Sequence, residues 1–458
     1  MKSEVPLLVL TLLMQWLTGL FAVGATGYRA QRSVLLPMSL LLGMFLHSLS
    51  MFIAQMAGVP LSLQTMMVSG IAAMLVPLLR WNAVRGSLAG LFMMPRFRPT
   101  LYDVVIFGFI GYVAYMVVWA SWYWPVTPFD AMAGIDLVAR YAARDGMIAS
   151  QVFTDPSLQG NLSNQPFYAP FAMLMQVMMK LVGYPYTQIW VSIVAICFWW
   201  FTWATLRSLA HPLIAGLLTV LFILTPEMLG YSYILQTDFA NAAFFAIGCV
   251  MLMRSINEKE FAGTIVSAIA FAGACWSRTE TPLLVGLIGA AALPQILRVF
   301  GPVKGLAGAL GVLAMSTLTF ALWNIVFFNA YLPVRPSTAD QLRSFDLSLF
   351  AQVVSTSWTS VISSTELWGW IIWLFIAVIV IDTLLNRRLA QPLLIGFVVV
   401  TFLGLFLVGT IFSAAVVEQT LRRGMFKIIP LMVVAIAGSG MVSSASTALY
   451  SWEAGRKS

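Results

Sequence analysis

Long uninterrupted apolar runs constrain this chain more than any motif in it. Windows of roughly 20 residues, the length that carries a helix across a bilayer, recur at 5–26, 33–55, 61–80, 101–123, 187–206, 212–229, 239–254, 261–277, 282–298, 305–328, 367–386, 391–412 and 428–447. Backbone in hydrocarbon must satisfy its own polar groups, so runs of this length fold as helices. Only 9% of the 458 residues are charged, against about 25% in soluble domains. The expected fold class is an all-α polytopic membrane protein with about thirteen transmembrane helices.

The basic residues order those windows. Arg29 with Arg32, then Arg80, Arg85, Arg96 and Arg98, then Arg207, Arg254 with Lys259, Arg298 with Lys304, Arg387 with Arg388, and Arg456 with Lys457 fall on alternate connections. Lys and Arg accumulate in cytoplasmic loops, so the formal charge of +8 reads as a topology signal and not as a nucleic-acid surface. Thirteen spans place the N-terminus outside and the C-terminus in the cytoplasm. The first window lacks a small-residue cleavage site and reads as a retained span. Cys197, Cys249 and Cys275 sit singly in apolar windows, and His47 and His211 are isolated. That pattern offers no disulfide framework and no zinc or histidine metal site. With no P-loop or nucleotide-binding glycine loop, ATP-driven transport has no support and no cofactor is expected.

The long polar interruption at 124–186 then lies outside. Its first half carries Asp130 just ahead of a stretch with helical character, about 132–147, and Asp136 within it. Either carboxylate suits a general base that takes a proton from an attacking hydroxyl or amine. Equally, Asp130 can cap the helix and Asp136 can pair with Arg140 one turn on. The second half contains 167–183, FYAPFAMLMQVMMKLVG. Counted as a span, it would invert every later connection. It is therefore expected to be a juxtamembrane helix at the interface, with Met and Phe toward lipid and Lys180 toward water.

Further external connections bring ionisable and polar residues to the same side. They hold Glu227, Gln236 and Asp238, then Arg278 and Glu280, then Arg335, Arg343, Asp346 and Glu366 on 329–366, and finally Glu418, Arg422, Arg423 and Lys427. Charges at membrane depth are expensive and generally face a partner or a watery cavity. Arg278, Arg422, Arg423 and Lys427 suit a lipid-linked phosphate. The plainer alternative pairs Arg278 with Glu280 and Arg422 with Glu418. Trp122, Trp124, Trp358, Trp368 and Trp370 read as interfacial anchors.

Five segments in order carry a resemblance: PFDAMAGIDLVARYAARDG, QPFYAPFAMLMQVMMKLVGYPYTQIW, LTPEMLGYSYILQTDFANAAFF, CWSRTETPLLVG and LRRGMFKIIPLMVVAIA. Over roughly residues 100–450 the chain resembles the GT-C superfamily of integral-membrane glycosyltransferases, which includes the protein mannosyltransferases and the bacterial lipid A aminoarabinose transferase. The resemblance implies an inverting transfer of a monosaccharide from a polyprenyl-phosphate donor to a glycan, lipid or protein acceptor, on the external or periplasmic face of a bacterial inner membrane. Asp130 would activate the acceptor, with Asp136 as the second candidate. Arg278, Arg422, Arg423 and Lys427 would hold the donor phosphate, and Gln165, Tyr168, Gln236, Asp238 and Glu280 would line the substrate site. Gln165 stands where a His is frequent in the family, and the usual Asp-Glu pair is absent after Phe129. The implied organisation is three leading spans at 1–99 outside the common core, a catalytic core at 100–450 with the loop 124–186, and a cytoplasmic tail at 451–458.

Two rival readings differ in kind. An O-antigen ligase or polymerase-like enzyme typically carries its large loop late in the chain, whereas here it is early. A lipid or small-molecule transporter would place ionisable residues mid-span and show two similar halves, but Asp103 and Asp382 lie near span edges and no internal repeat is visible.

Overall fold

A computed structural model of the chain describes residues 4–29, 31–93, 99–159, 168–184, 188–331, 342–387, 391–413 and 415–455. Helices α1 (Glu4–Thr26) and α2 (Arg32–Met56) form an antiparallel hairpin whose backbones touch. A Cβ on Gly19 would lie 1.8 Å from the Ser39 carbonyl oxygen, and one on Gly43 1.6 Å from that of Gln15. Small residues permit such crossings. Helix α3 (Leu63–Leu75) is capped by the Ser62 hydroxyl and continues through a 3-10 turn, Val76–Arg80, into α4 (Trp81–Met93). The window expected to stop at Arg80 therefore runs on.

Helix α5 (Leu101–Tyr123) opens with a reciprocal capping box between Thr100 and Asp103, which satisfies two otherwise orphaned amides. The polar loop that follows is largely helical. A π-helical turn, Ala131–Asp136, leads into α6 (Leu137–Asp145), and the short α7 (Gln151–Thr154) and α8 (Pro156–Gln159) precede α9 (Phe171–Leu181). Then come α10 (Ile189–Arg207), α11 (Pro212–Ile223), α12 (Pro226–Gly230), α13 (Asp238–Glu258), α14 (Phe261–Cys275), α15 (Thr281–Phe300), α16 (Pro302–Ala321) and α17 (Phe328–Tyr331). The last third holds α18 (Leu347–Ser357), α19 (Thr365–Trp368), α20 (Ile371–Asn386), α21 (Pro392–Ile411), α22 (Val417–Ala437) and α23 (Gly440–Gly455). The described residues contain no strand, only one isolated antiparallel bridge between Leu342 and Phe412.

Among the described residues, 9 helices are long and apolar enough to cross a membrane, or up to 10 if the bent pair α22–α23 is one span. This is the architecture of a polytopic membrane protein. The windows at 212–229, 261–277 and 367–386 coincide with shorter helices, α11, α14 and α20. The window at 428–447 straddles a 51° bend between α22 and α23, where the Asp382 carboxylate accepts the Met441 N–H at 2.7 Å. Helix α13 is buried along almost its whole length and is apolar on all sides, as a central helix must be. Helices α5, α15 and α16 present most of their surface outward.

Antiparallel contacts define two ends of the bundle. Helices α5 and α10 are joined where Ser192 donates to the Val117 carbonyl, and Arg207 at the end of α10 reaches Asp103 at the start of α5. The opposite end of this pair carries the loop after Tyr123, and Gln188 there accepts the Leu235 N–H just before α13. We call this the loop end.

Helix α9 corrects an expectation. It was expected at the lipid interface, but Phe171 to Met179 are all buried, and Lys180 is turned inward onto Asp136 at 2.7 Å, not toward water. The helix is buried around most of its circumference, with α2, α3 and α6 covering it and its two polar side chains, Gln176 and Lys180, both directed at Asp136. Periodicity along one helix gives no sign of such cover.

Candidate active site

At the loop end, four segments deliver charge to one place. The first is the turn between α14 and α15, which carries Arg278 and Glu280. Asn241 on α13 clamps both sides of it, donating to the Ala274 carbonyl at 2.7 Å and to the Thr281 hydroxyl at 2.9 Å. The Phe171 N–H donates to the Trp276 carbonyl, which brings Tyr168 alongside. The Arg278 guanidinium lies 4.8 Å over the Tyr168 ring, a cation–π geometry.

The second is the N-terminus of α13. Arg278 donates to Asp238 at 2.7 Å and to Glu280 at 3.0 Å, and is itself buried. Burial opposes the guanidinium charge, but Asp238 and Glu280 outweigh it and raise its pKa above the ordinary value. Burial likewise works against the Glu280 carboxylate, yet Arg278 and Lys427 hold its pKa down to about 2.

The third is α22. Its first turns were expected to form an external loop, but the helix begins at Val417 and carries Arg422, Arg423 and Lys427 within it. Residues four apart share a helix face, so Arg423 and Lys427 point the same way. Lys427, 1% exposed, reaches Glu280 at 3.2 Å. Arg422 pairs with Glu227 on α12 and not with its helical neighbour Glu418. Tyr231, at the end of α12, packs against Phe426 with ring centroids 4.8 Å apart and planes tilted by 58°. Burial first, then Asp238 and Glu227, push its hydroxyl pKa above the usual value.

The fourth is the loop after α5. Asp130 stands at the N-cap position of the π-helical turn but makes no side-chain cap bond there. Its Oδ2 accepts from Arg423 Nη2 at 3.3 Å, across 293 residues of sequence. Asp130, Glu227, Asp238 and Glu280 thus face Arg278, Arg422, Arg423 and Lys427 in a charge-balanced set made of three groups, Arg278 with Asp238, Glu280 and Lys427, then Arg422 with Glu227, then Arg423 with Asp130. Arg423 is also within electrostatic reach of Asp238 and Arg278. Three polar atoms here, Glu227 Oε2, Asp238 Oδ2 and Gln236 Oε1, are buried without a hydrogen-bond partner.

Asp136 is held elsewhere. It is fully buried and accepts from Arg140 at 2.7 Å, Lys180 at 2.7 Å and Gln176 at 2.8 Å, while Gln176 in turn accepts from the Trp190 indole at 3.0 Å. Burial lowers the Lys180 ammonium pKa, against the pull of Asp136. The carboxylate's lone pairs are therefore spent on the protein, and its position ties the π-helical turn to α9.

Of the sequence-derived candidates, Asp130, Tyr168, Asp238, Arg278, Glu280, Arg422, Arg423 and Lys427 come together, Gln236 adjoins them and Asp136 stands apart. Gln165 lies outside the described residues, as do Arg96, Arg98, Arg335, Arg388, Arg456 and Lys457. Glu227 as the partner of Arg422, Tyr231, and the pairing of Gln176 and Lys180 with Asp136 were not anticipated. The last had a visible signal, since Gln176 and Lys180 are the two polar side chains of α9 and lie four apart. Among the described residues no three His, Cys, Asp or Glu side chains converge as metal ligands. Compared with protein-family models, curated proteins and solved structures, the chain matches none.

Proposed function

We propose that the protein is a GT-C-like glycosyltransferase that moves a monosaccharide from a polyprenyl-phosphate donor to an external acceptor at the loop end. The observation that carries this reading is the convergence of Asp130, Arg278, Arg423 and Lys427 from distant parts of the chain on one partly buried place, each in an ion pair and with Arg423 within electrostatic reach of Arg278. Partly desolvated guanidinium groups are the side chains best suited to phosphoryl oxygens, and a carboxylate beside them can serve as base. In the proposed step the acceptor hydroxyl attacks the anomeric carbon of the sugar. The bond from that carbon to the phosphate oxygen breaks, the lipid phosphate leaves with the electron pair, and the hydroxyl proton passes to Asp130. Single displacement inverts the anomeric centre.

The accompanying topology is thirteen crossings, with α11, α14, α20 and the bent α22–α23 added to the longer helices. It is supported by the way successive helices alternate between the two ends. Arg29, Arg32, Arg207, Arg254, Lys259, Arg298, Lys304 and Arg387 then share the end away from the loop, which the positive-inside rule makes cytoplasmic. That orientation puts the N-terminus and the site outside.

Asp130→Ala tests the chemistry. With a panel of polyprenyl-phosphate sugars and membrane acceptors, the variant is expected to lose transfer while keeping its fold and its binding of lipid phosphate. Full turnover by the variant would remove the proposed base. Mass spectrometry of lipids that co-purify with the wild type would identify the sugar from the donor headgroup.

A further inference from the structure

The ion pairs of the network are not held alike. Arg278 meets Asp238 at 2.7 Å with side-chain exposures of 8% and 0%, whereas Arg423 meets Asp130 at 3.3 Å with exposures of 18% and 38%. The first is short, buried and supported by Glu280, Thr237 and Tyr168. The second is longer and open to water. Yet Arg423 is no peripheral residue. It shares a helix face with Lys427 and lies within electrostatic reach of Asp238, Tyr168, Tyr231 and the like-charged Arg278. Two guanidinium groups thus sit near one another, one anchored and the other held by a contact that is readily exchanged.

We propose that Arg423 is a two-position switch that couples phosphate binding to release of the base. In one position it holds Asp130. A lipid phosphate entering between Arg278 and Arg423 draws the Arg423 fork onto its oxygens, and Asp130 exchanges the guanidinium for the acceptor hydroxyl. The phosphate relieves the repulsion between the two arginines and offers bidentate geometry, which a single 3.3 Å contact to one carboxylate oxygen does not. Binding is then ordered, donor before acceptor, and Asp130 is kept from activating a hydroxyl, or water, while no donor is bound. This inference rests on the proposed lipid-phosphate site and adds its regulation.

The switch differs from mere removal of a negative charge near the phosphate in that the effect of Asp130 requires Arg423. Removing the charge of Asp130 releases Arg423 toward the phosphate, so Asp130→Asn is expected to bind lipid phosphate more tightly while losing transfer. The probe is a polyprenyl monophosphate titrated into the full-length protein in detergent micelles, with thermal unfolding recorded for each variant. Asp130→Asn should tighten binding about three-fold, the scale of one half-exposed ion pair. Arg423→Gln should weaken it, and Asp130→Asn added to Arg423→Gln should produce no further change. Wild-type binding with an Asp130→Asn affinity that is equal or weaker, or an Asp130→Asn tightening that persists in the Arg423→Gln background, would overturn the switch and leave the lipid-phosphate site standing. Absence of binding by the folded wild type would overturn both.

Discussion

At the loop end, Arg278, Asp238, Glu280 and Lys427 form a cluster drawn from α13, α22 and the α14–α15 turn, and three of the four are at most 7% exposed. At the opposite end, charges of the same kinds are held differently. Arg207 meets Asp103 at 3.3 Å, Glu260 accepts from the Arg29 backbone N–H at 3.3 Å, Arg254 donates to the Ser208 hydroxyl and His211 lies 3.2 Å from Glu453 on α23. Those contacts are separate pairs and not a cluster, and the two ion pairs among them each join a buried member to one that is 22% or 32% exposed. A rim pair contributes little and loses little when broken, whereas a buried cluster must offset the desolvation of each member. Unequal treatment of similar residues singles out the loop end, because buried charge beyond what topology requires is where function is to be sought.

The largest break in that asymmetry should come from Arg278→Ala, which leaves Asp238 and Glu280 buried without their common partner. Thermal or denaturant unfolding in detergent is expected to show a loss of about 3–5 kcal/mol, and a loss below 1 kcal/mol would mean the cluster is as wet as the rim.

The two ends should also fail at opposite extremes of pH. The Glu280 carboxyl is held at about 2 by Arg278 and Lys427 against the effect of burial, below its ordinary value of 4.5. Its contribution is therefore present above the ordinary value and is lost as pH falls through the window between the two. Tyr28, at the opposite end, is raised by burial from 10.0 to about 12. Its contribution is whole below 10.0 and is lost as pH rises toward 12. Each limb is worth about 3 kcal/mol by linkage. Stability profiles of Glu280→Gln and Tyr28→Phe should flatten the acid and alkaline limbs respectively, and an unchanged acid limb in Glu280→Gln would remove that carboxyl as its source.

The smallest effect belongs to the rim. Arg207→Ala is expected to shift stability by about 1 kcal/mol or less, since Thr100 still donates to Asp103 in the capping box. A shift as large as that of Arg278→Ala would abolish the distinction between the ends.

Much of the fold was legible in the chain because its cause is local. The helical stretch after Asp130 could be read from its own residues, as could the possible pairing of Asp136 with Arg140 and of Arg278 with Glu280. All three are found, each within four residues or within one helix. The misjudged features depend on neighbours that sequence does not name. Helix α9 reads as an interfacial helix because a span there would invert the later basic connections, with Lys180 expected to reach water, and instead Asp136 supplies its counter-charge from 44 residues away. Arg422 looked toward Glu418 on its own helix and found Glu227, 195 residues distant. The first turns of α22 looked like a loop because they are charged, yet they remain helical because α12, the α14–α15 turn and Asp130 provide partners for that charge.

By itself, the sequence determined that this chain is a set of apolar helices and which connections carry its charges, because transfer from water to hydrocarbon is summed over neighbouring residues in one window. Tertiary structure alone decided that Asp136 is also held by Gln176 and Lys180 of α9 while Asp130 meets Arg423. Which carboxylate pairs with which cation depends on distances between segments tens to hundreds of residues apart, and no local sum contains them.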